Sequence, residues 1–213
     1  MKKTGLLIVS IIAFVLFGAV AFFMRDLLFG GVKGTYEEVV DNYESYSDQW
    51  ISYEVVACLG NYAEGTESYS FIPTGHEYYY IIMMEDGSVM PMSVSKKADK
   101  EYLDALTDAT YDYFDGVTNT ISVPSREFIG TVKTQKTDAQ KYYKEGLNYL
   151  NISASEGWVI RNVLFDCTST RTGTILLVGG VMMIPILGFV VYFVNLGKEN
   201  KKKLKPEEEY LPR

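Results

Sequence analysis

The residues best suited to covalent chemistry are two cysteines, Cys58 and Cys167, and the only histidine, His76. A thiolate is a strong nucleophile, and a histidine can move a proton for it. The same cysteines could instead form a disulfide, because both lie in a segment expected on the oxidising side of a membrane. That bond would close a loop of about a hundred residues and contribute roughly 4–5 kcal/mol. We predict the Cys58–Cys167 disulfide, and the alternative is a pair of reduced, buried thiols.

The set His76, Cys167 and Arg171 resembles the histidine, cysteine and arginine of sortases, the transpeptidases of Gram-positive envelopes, some of which carry an anchor at each end. The resemblance implies a thiol-dependent envelope enzyme with Cys167 as nucleophile and His76 as proton donor. The chain departs from that family because residues 163–166, directly before Cys167, include no threonine and Arg171 follows only four residues later. The adjacent Asp166 would also oppose thiolate formation. This enzyme is therefore the alternative, and we expect His76 to be a surface residue and the domain to have no catalytic residue.

Other motifs for cofactor or metal chemistry are missing from the sequence. It holds no glycine-rich phosphate loop, no nucleophile elbow and no histidine spacing typical of a metal site. Asp104, Asp108 and Asp112 recur every four residues, which indicates a solvated acidic helix face rather than a cation site. The formal charge of −7 has the wrong sign for nucleic acid. We expect no cofactor, no metal and no nucleic-acid partner.

Tyrosine is abundant, with 17 in the chain, and three of them are consecutive: Tyr78, Tyr79 and Tyr80. In a strand these rings must point to both faces, so at least one is expected to be exposed. Exposed tyrosines bind proteins and sugars well because they offer a large area with few rotatable bonds. The three are a candidate ligand surface, and the alternative is that they serve as core and edge residues.

Two apolar runs without charge, residues 5–24 and 174–196, lie near the two ends of the chain. Twenty helical residues are about 30 Å long, which matches the hydrocarbon core of a bilayer. The runs therefore predict two transmembrane helices, with residues 1–4 before the first, residues 25–172 between them and residues 197–213 after the second. Ala19-Val20-Ala21 also resembles a signal-peptide cleavage site, so removal of residues 1–21 is the alternative to an uncleaved anchor.

Basic residues flank the outer ends of both runs. Lys2 and Lys3 precede the first, and five lysines follow the second: Lys198, Lys201, Lys202, Lys203 and Lys205. Basic residues near a membrane end stay in the cytoplasm, so we predict a two-pass protein of the cell membrane with both termini inside. The five tail lysines are expected to face anionic lipid. Small residues such as Gly188 suit packing of the helices with a partner or in a homo-oligomer.

Residues 25–172 have the size of one domain, with 23 acidic and 12 basic residues. Residues 30–34 predict a flexible glycine-containing stem. Periodicity predicts helices at 36–46, 98–114 and 137–150 and strands at 51–59, 78–84, 89–95, 127–135 and 158–167. This order predicts an α+β fold: a mostly antiparallel sheet with two or three helices, flanked by the two transmembrane helices.

Local signals refine this prediction. Asp86-Gly87 predicts a two-residue hairpin turn that pairs Met84 with Val89, and Pro91 predicts that the second strand of the hairpin lies at an edge or a bulge. Gly116 can end the helix at 98–114, and the residues from 137 to 140 fit a capping box.

The segments Ser95-Lys96-Lys97, Tyr102 to Leu106 and Phe128 to Lys133 resemble small, uncharacterised two-helix membrane proteins of clostridial and other Gram-positive bacteria. That resemblance implies no activity. From the residues themselves we expect a membrane-anchored, non-enzymatic, extracytoplasmic domain that binds a protein or an envelope ligand as an accessory subunit.

Overall fold

The computed structural model describes residues 3–39, 42, 45, 46, 49–69, 72–169 and 171–203. The chain divides into two compact units, one made of Met1–Leu28 with Thr172–Arg213 and the other of Phe29–Arg171. Lys2 and Lys205, which the predicted orientation uses, lie outside the described residues.

The first unit holds two long helices, α1 (Lys3–Phe23) and α6 (Arg171–Lys203), and a short helix α2 (Arg25–Phe29) follows α1. The segments Gly5–Phe23 and Gly173–Lys198 are long and apolar enough to cross a membrane. Only 6% of the most apolar stretch of each segment is buried, whereas the core helix of a soluble protein is mostly buried.

A close contact joins α1 to α6. The Phe14 and Phe189 rings meet edge to face at 6.1 Å, and Ser10 is buried. A Cβ at position 188 would collide with the Ser10 hydroxyl oxygen. Gly188 therefore allows the close approach of two helices that is typical of small residues in membrane helices.

The second unit is built on one seven-stranded sheet with the order β1-β2-β6-β7-β5-β4-β3. The β1–β2 and β5–β7 pairs are parallel, and the other four pairs are antiparallel. The prediction of a mixed α+β fold is confirmed. The strands are β1 (Val32–Thr35), β2 (Trp50–Val55), β3 (Ala57–Tyr69), β4 (Ile72–Met83), β5 (Val89–Val94), β6 (Arg126–Thr134) and β7 (Val163–Cys167), and the helices are α3 (Tyr36–Val39), α4 (Lys97–Phe114) and α5 (Thr137–Tyr149).

Helices cover the two faces of the sheet separately. On one face, Leu103 and Leu106 of α4 and Tyr36 of α3 join the main hydrophobic core. On the other face, Tyr143 and Leu147 of α5 form a smaller core. Spacings of three and four residues put these apolar side chains on one side of each helix, which explains why each helix packs on one face only.

The hairpin between β4 and β5 differs from the predicted two-residue turn. Met83 rather than Met84 pairs with Val89. The Met84 N–H donates to the Ser88 carbonyl at 2.8 Å, and the Gly87 N–H donates to the Met84 carbonyl at 3.0 Å. Only Gly87 within this turn has a positive φ, of 77°. The loop is thus a three-residue turn with glycine at its left-handed position.

Pro91 does not mark an edge, because β5 lies between β7 and β4. Val89 bridges to Ile160, and regular pairing with β7 begins only at Met92. Pro91 occupies the gap between these two stretches. There the Tyr143 hydroxyl donates to the Arg161 carbonyl at 3.1 Å, so α5 helps to satisfy backbone that an uninterrupted ladder would have paired.

Several predicted bounds were wrong for local reasons. The strand predicted at 51–59 is two strands, β2 and β3, and the predicted glycine stem contains β1, which pairs with β2. The last strand starts at Val163 rather than 158. Thr137 is the first helical residue of α5 and its cap position is Lys136, so the capping box does not form.

Other predicted elements are confirmed. Helix α4 and strand β6 lie within a residue of the predicted bounds, and Gly116 follows α4 with a φ of 71°. Of the helix predicted at 36–46, the described residues contain α3 and an isolated turn around 45–46, while residues 40, 41, 43 and 44 lie outside them.

Gly130 is a point of close packing in the sheet. A Cβ at this position would lie 2.6 Å from the Asp166 carbonyl oxygen, 2.7 Å from the Cys167 sulfur and 2.9 Å from the Phe165 ring. Two of these obstacles belong to buried core side chains and the third is backbone, so none can move aside easily. The residue must be glycine for β6 to pair with β7.

We expect Gly130→Ala to destabilise the folded protein by about 1–3 kcal/mol, the usual cost of overpacking a core. Gly75→Ala is the matched control, because Gly75 also lies in a strand but a Cβ there would meet nothing within 4 Å. Thermal unfolding of the detergent-solubilised full chain measures both. Equal unfolding midpoints for the two variants would contradict the packing described for Gly130.

Candidate functional site

The predicted disulfide is wrong, because Cys58 and Cys167 are both free thiols. Cys58 lies in edge strand β3 and Cys167 in β7, with β4 and β5 between them. Three strand spacings amount to about 14 Å, whereas bridged Cα atoms lie within about 7 Å. The sequence showed that both cysteines lie in strands but not that two further strands separate them.

Neither thiol is activated. Burial raises the pKa of Cys58 to about 11, although hydrogen bonds from Thr107 and Gly60 act in the opposite sense. Burial also raises the pKa of Cys167 well above its usual value, and the negative charge of Asp166 adds to the effect. Both thiols are therefore protonated at neutral pH and lack the thiolate that a nucleophile needs.

His76 is remote from both cysteines in the sheet. It is exposed on β4 and stacks on the Tyr78 ring at 6.2 Å. Cys167 on β7 pairs with Val94 on β5, and Val94 pairs in turn with Tyr78 on β4. His76 therefore lies two strands away from Cys167 and two residues beyond Tyr78 along β4. The residues needed for a sortase-like mechanism are not brought together.

The three consecutive tyrosines are mainly core residues. Tyr80 is fully buried and donates to the Asp104 carboxylate at 2.6 Å, and Tyr79 is buried on the opposite face. Only Tyr78 is half-exposed, with the Lys100 ammonium 5.4 Å from its ring centroid. The predicted ligand surface is therefore reduced to the edge of Tyr78.

A polar row crosses the sheet on the face that carries α5. Register pairs join Trp50, Thr131, Asp166, Ser93 and Tyr79, one residue from each of β2, β6, β7, β5 and β4. Paired residues point to the same face of a sheet, so these side chains are neighbours. The row places a carboxylate and two hydroxyls at the centre of a sheet whose interior positions are otherwise mostly apolar.

Asp166 is the centre of this row and is buried. One carboxylate oxygen accepts hydrogen bonds from the Ser93 hydroxyl at 3.0 Å, the Thr168 hydroxyl at 2.6 Å and the Thr168 N–H at 2.9 Å. The other oxygen forms an ion pair with Lys133. Burial tends to raise the pKa of Asp166, but hydrogen bonds from Lys133 and Thr168 and the Lys133 charge hold it below its usual value.

Thr131, the register partner of Asp166, adds an unusual polar atom to the row. Its hydroxyl is buried and has no hydrogen-bond partner in the described part of the chain. Buried polar groups are nearly always paired, and exceptions are often found at functional sites.

A second buried carboxylate, Glu77, lies on β4 two residues before Tyr79. It accepts a hydrogen bond from the Tyr79 hydroxyl at 2.5 Å and an ion pair from Lys136 at 3.2 Å. Lys136 is the residue that precedes α5, so the start of this helix brings its charge over the sheet. The result is a second carboxylate–lysine pair on the same face as the first.

The two ion pairs line one cleft with a volume of about 210 Å³. Its floor is formed by the buried acidic and hydroxyl groups, and its rim carries the two lysines, whose side chains are 48% and 71% exposed. The lining residues are Glu77, Tyr79, Ser93, Lys133, Thr134, Lys136, Leu164, Asp166, Thr168 and Ser169. We refer to this site as the polar cleft.

The chemistry available in the polar cleft is recognition by hydrogen bonds and charge. Both carboxylates are already ion-paired, and the register puts two strand spacings between their strands, so they do not form a close acid–base pair. Among the described residues, no three His, Cys, Asp or Glu side chains come together as a metal site.

Sequence reasoning missed the polar cleft, although one signal was present. Asp166 interrupts an apolar strand, and a charge inside a central strand is costly unless it is paired. In the sequence, the negative charge of Asp166 was related only to the reactivity of the neighbouring Cys167 thiol. The partners could not be found from the sequence, because Ser93, Lys133 and Asp166 lie on three separate strands that become neighbours only in the fold.

The predicted lipid-facing lysines are described in part. Lys198 and Lys201 are exposed on α6, and Lys202 and Lys203 belong to the same helix. The apolar segment ends at Lys198, and Lys201, Lys202 and Lys203 lie in the part of α6 that continues beyond it.

Comparison with known proteins places the chain in a family. The family model described as a domain of unknown function, DUF8577, matches residues 1–198, and the chain belongs to this family. No curated protein and no solved structure matches the chain.

Asp166→Asn should lower the free energy of unfolding at pH 7 by about 1.5–3 kcal/mol, the usual worth of hydrogen bonds to a charged group. The lowered pKa of Asp166 means that its contribution is present above about pH 4 and is lost as the pH falls through the folded-state value. The difference between wild type and variant should therefore shrink in acid. Asp138→Asn, at an exposed site on α5, is the control, and a difference that does not change below pH 4 would contradict this electrostatic role.

Both thiols should resist alkylation by iodoacetamide in the native protein at pH 8 and react fully in denaturant without a reductant. Burial excludes the reagent and suppresses the thiolate in the folded state. Mass analysis counts the modified cysteines. If the two cysteines of the denatured protein reacted only after reduction, Cys58 and Cys167 would be bonded and not free thiols.

Proposed function

We propose that this DUF8577 member is a membrane-anchored, non-enzymatic binding protein of the cell envelope. Helices α1 and α6 cross the cell membrane, both termini lie in the cytoplasm, and the sheet unit lies outside. It acts as an accessory domain that binds an envelope ligand or a partner protein. The observation that carries the proposal is the polar cleft, a pocket lined by two ion-paired carboxylates, their two lysines and several hydroxyls.

Membrane anchoring is supported by the exposed apolar surface of both helices. Side chains along α1 and α6 such as Val15, Phe22 and Phe193 are more than half exposed, which a water-soluble protein would avoid at this density. Residues 5–23 and 174–196 contain no Asp, Glu, Lys, Arg or His, so a bilayer can accept both stretches without a buried charge. The lysines that follow Gly173–Lys198 favour a cytoplasmic C-terminus.

Binding rather than catalysis is supported by the state of the reactive groups. Cys58 and Cys167 are buried and protonated. His76 is exposed and lies two strands away from Cys167, so it does not contact that thiol. Lys133 and the surrounding hydrogen bonds hold the pKa of Asp166 below its usual value, so Asp166 stays a carboxylate near neutral pH and is poorly suited to exchange a proton there. Glu77 is held in place by its ion pair with Lys136 and by the Tyr79 hydroxyl.

The exposed sides of α1 and α6 are available for contacts with other helices. Ser10 and Gly188 are used in the contact between α1 and α6, while most of the apolar residues on both helices remain exposed. These exposed faces can contact lipid, a partner's helix or a second copy of the chain.

Single-cysteine accessibility in intact cells tests the topology. Wild type is the background and negative control, because both of its thiols are buried. We expect Glu156→Cys, in an exposed turn of the sheet unit, to react with a membrane-impermeant maleimide. Lys201→Cys, exposed on α6, should react only after permeabilisation. The reverse pattern would overturn the proposed orientation, and labelling of both sites in intact cells would overturn the two-pass arrangement.

A further inference from the structure

We infer that the polar cleft binds a small anionic ligand that also carries hydroxyl groups, with its acidic group held between Lys133 and Lys136. This inference rests on the proposed function, since it specifies the ligand class of the same binding site. It concerns free small molecules, and the acidic group is a carboxylate or a phosphate.

The first argument is the balance of donors and acceptors. Asp166 already accepts three hydrogen bonds and an ion pair, and Glu77 accepts from Tyr79 and Lys136. Each buried carboxylate is thus already paired with a lysine, and a cationic ligand would have to compete with that lysine for it. The two ammonium groups are far more exposed than their carboxylate partners, and exposed cationic donors favour an anion.

The second argument is the placement of the lysines. Lys133 and Lys136 each make one ion pair among the described residues, whereas an ammonium group has three N–H donors. Their buried carboxylate partners fix the side chains at the rim before a ligand arrives. Fixed side chains lose less entropy on binding, so the two charges are better prepared for an anion than ordinary surface lysines.

The third argument is size and the neutral part of the lining. The volume of about 210 Å³ corresponds to roughly seven water molecules at about 30 Å³ each. A single sugar ring fits this space, and a long peptide or a polymer does not fit inside it. Thr134 and Ser169 add hydroxyls to the lining, and hydroxyls pair well with those of a sugar.

Four probes with the same ring and different charge separate the possibilities: glucuronate, glucose 6-phosphate, glucose and glucosamine. Their dissociation constants are measured with the purified full chain in detergent micelles by saturation-transfer NMR titration. We expect one or both anionic probes to bind at least tenfold more tightly than glucose and glucosamine. The stronger of the two anions identifies the acidic group as carboxylate or phosphate.

Lys133→Met and Lys136→Met should each weaken binding of the anionic probe at least tenfold. Lys141→Met is the matched control, because Lys141 is an exposed lysine on α5 that pairs only at 3.9 Å with Glu145 and lies outside the cleft lining. If Lys133→Met does not fold, because Asp166 loses its cation, Lys136→Met carries the test, since the Tyr79 hydroxyl still bonds to Glu77.

Two results overturn the inference in different ways. Equal or tighter binding of glucose or glucosamine, lost in Lys136→Met, would leave the cleft a binding site but refute the anionic ligand class. No binding of any probe, or anion binding that all three lysine variants leave unchanged, would refute the cleft as the site of an anionic ligand.

Discussion

A buried carboxylate in a central strand, Asp166 on β7, is the constraint on which the rest of the site depends. A charge removed from water is tolerated only when several donors surround it. Those donors come from β5, from β6 and from the residues directly after β7. The register among these strands therefore cannot shift by even one residue, because such a shift would turn the carboxylate or its partners to the opposite face of the sheet.

The alternation of a strand links this site to the hydrophobic core. Because Asp166 faces α5, its neighbours Phe165 and Cys167 face α4 and the main core. Those two side chains lie over β6 at Gly130, where a larger residue would collide with them. The same geometry thus explains a buried, unreactive thiol, an obligatory glycine and a polar cleft. Cys167 lies in the main core because it points to the face opposite Asp166.

Features that depend on nearby residues could be predicted from the sequence, and features that depend on strand order could not. The apolar helices, α4 and β6 follow from local periodicity. Strand order decides whether Cys58 can reach Cys167, and the predicted disulfide failed there. Strand order also decides between the two positions predicted for Pro91, which lies not at an edge but where the pairing of β5 with β7 is interrupted. The sequence left open whether Tyr78, Tyr79 and Tyr80 form a ligand surface or belong to the core, because a helix on each face, which buries both sides of β4, could not be inferred locally.

The central claim is that the buried ion pairs of the polar cleft serve ligand binding more than stability. Affinity for the anionic probe that binds wild type more tightly, glucuronate or glucose 6-phosphate, tests it most directly in the double variant Glu77→Gln/Lys136→Met, with the unfolding midpoint measured on the same sample. The new amide can still accept from Tyr79, so both charges disappear with little change in packing. Replacing a whole buried pair is often close to neutral, so the account predicts near wild-type stability with at least tenfold weaker binding. Lower stability with unchanged affinity would contradict it.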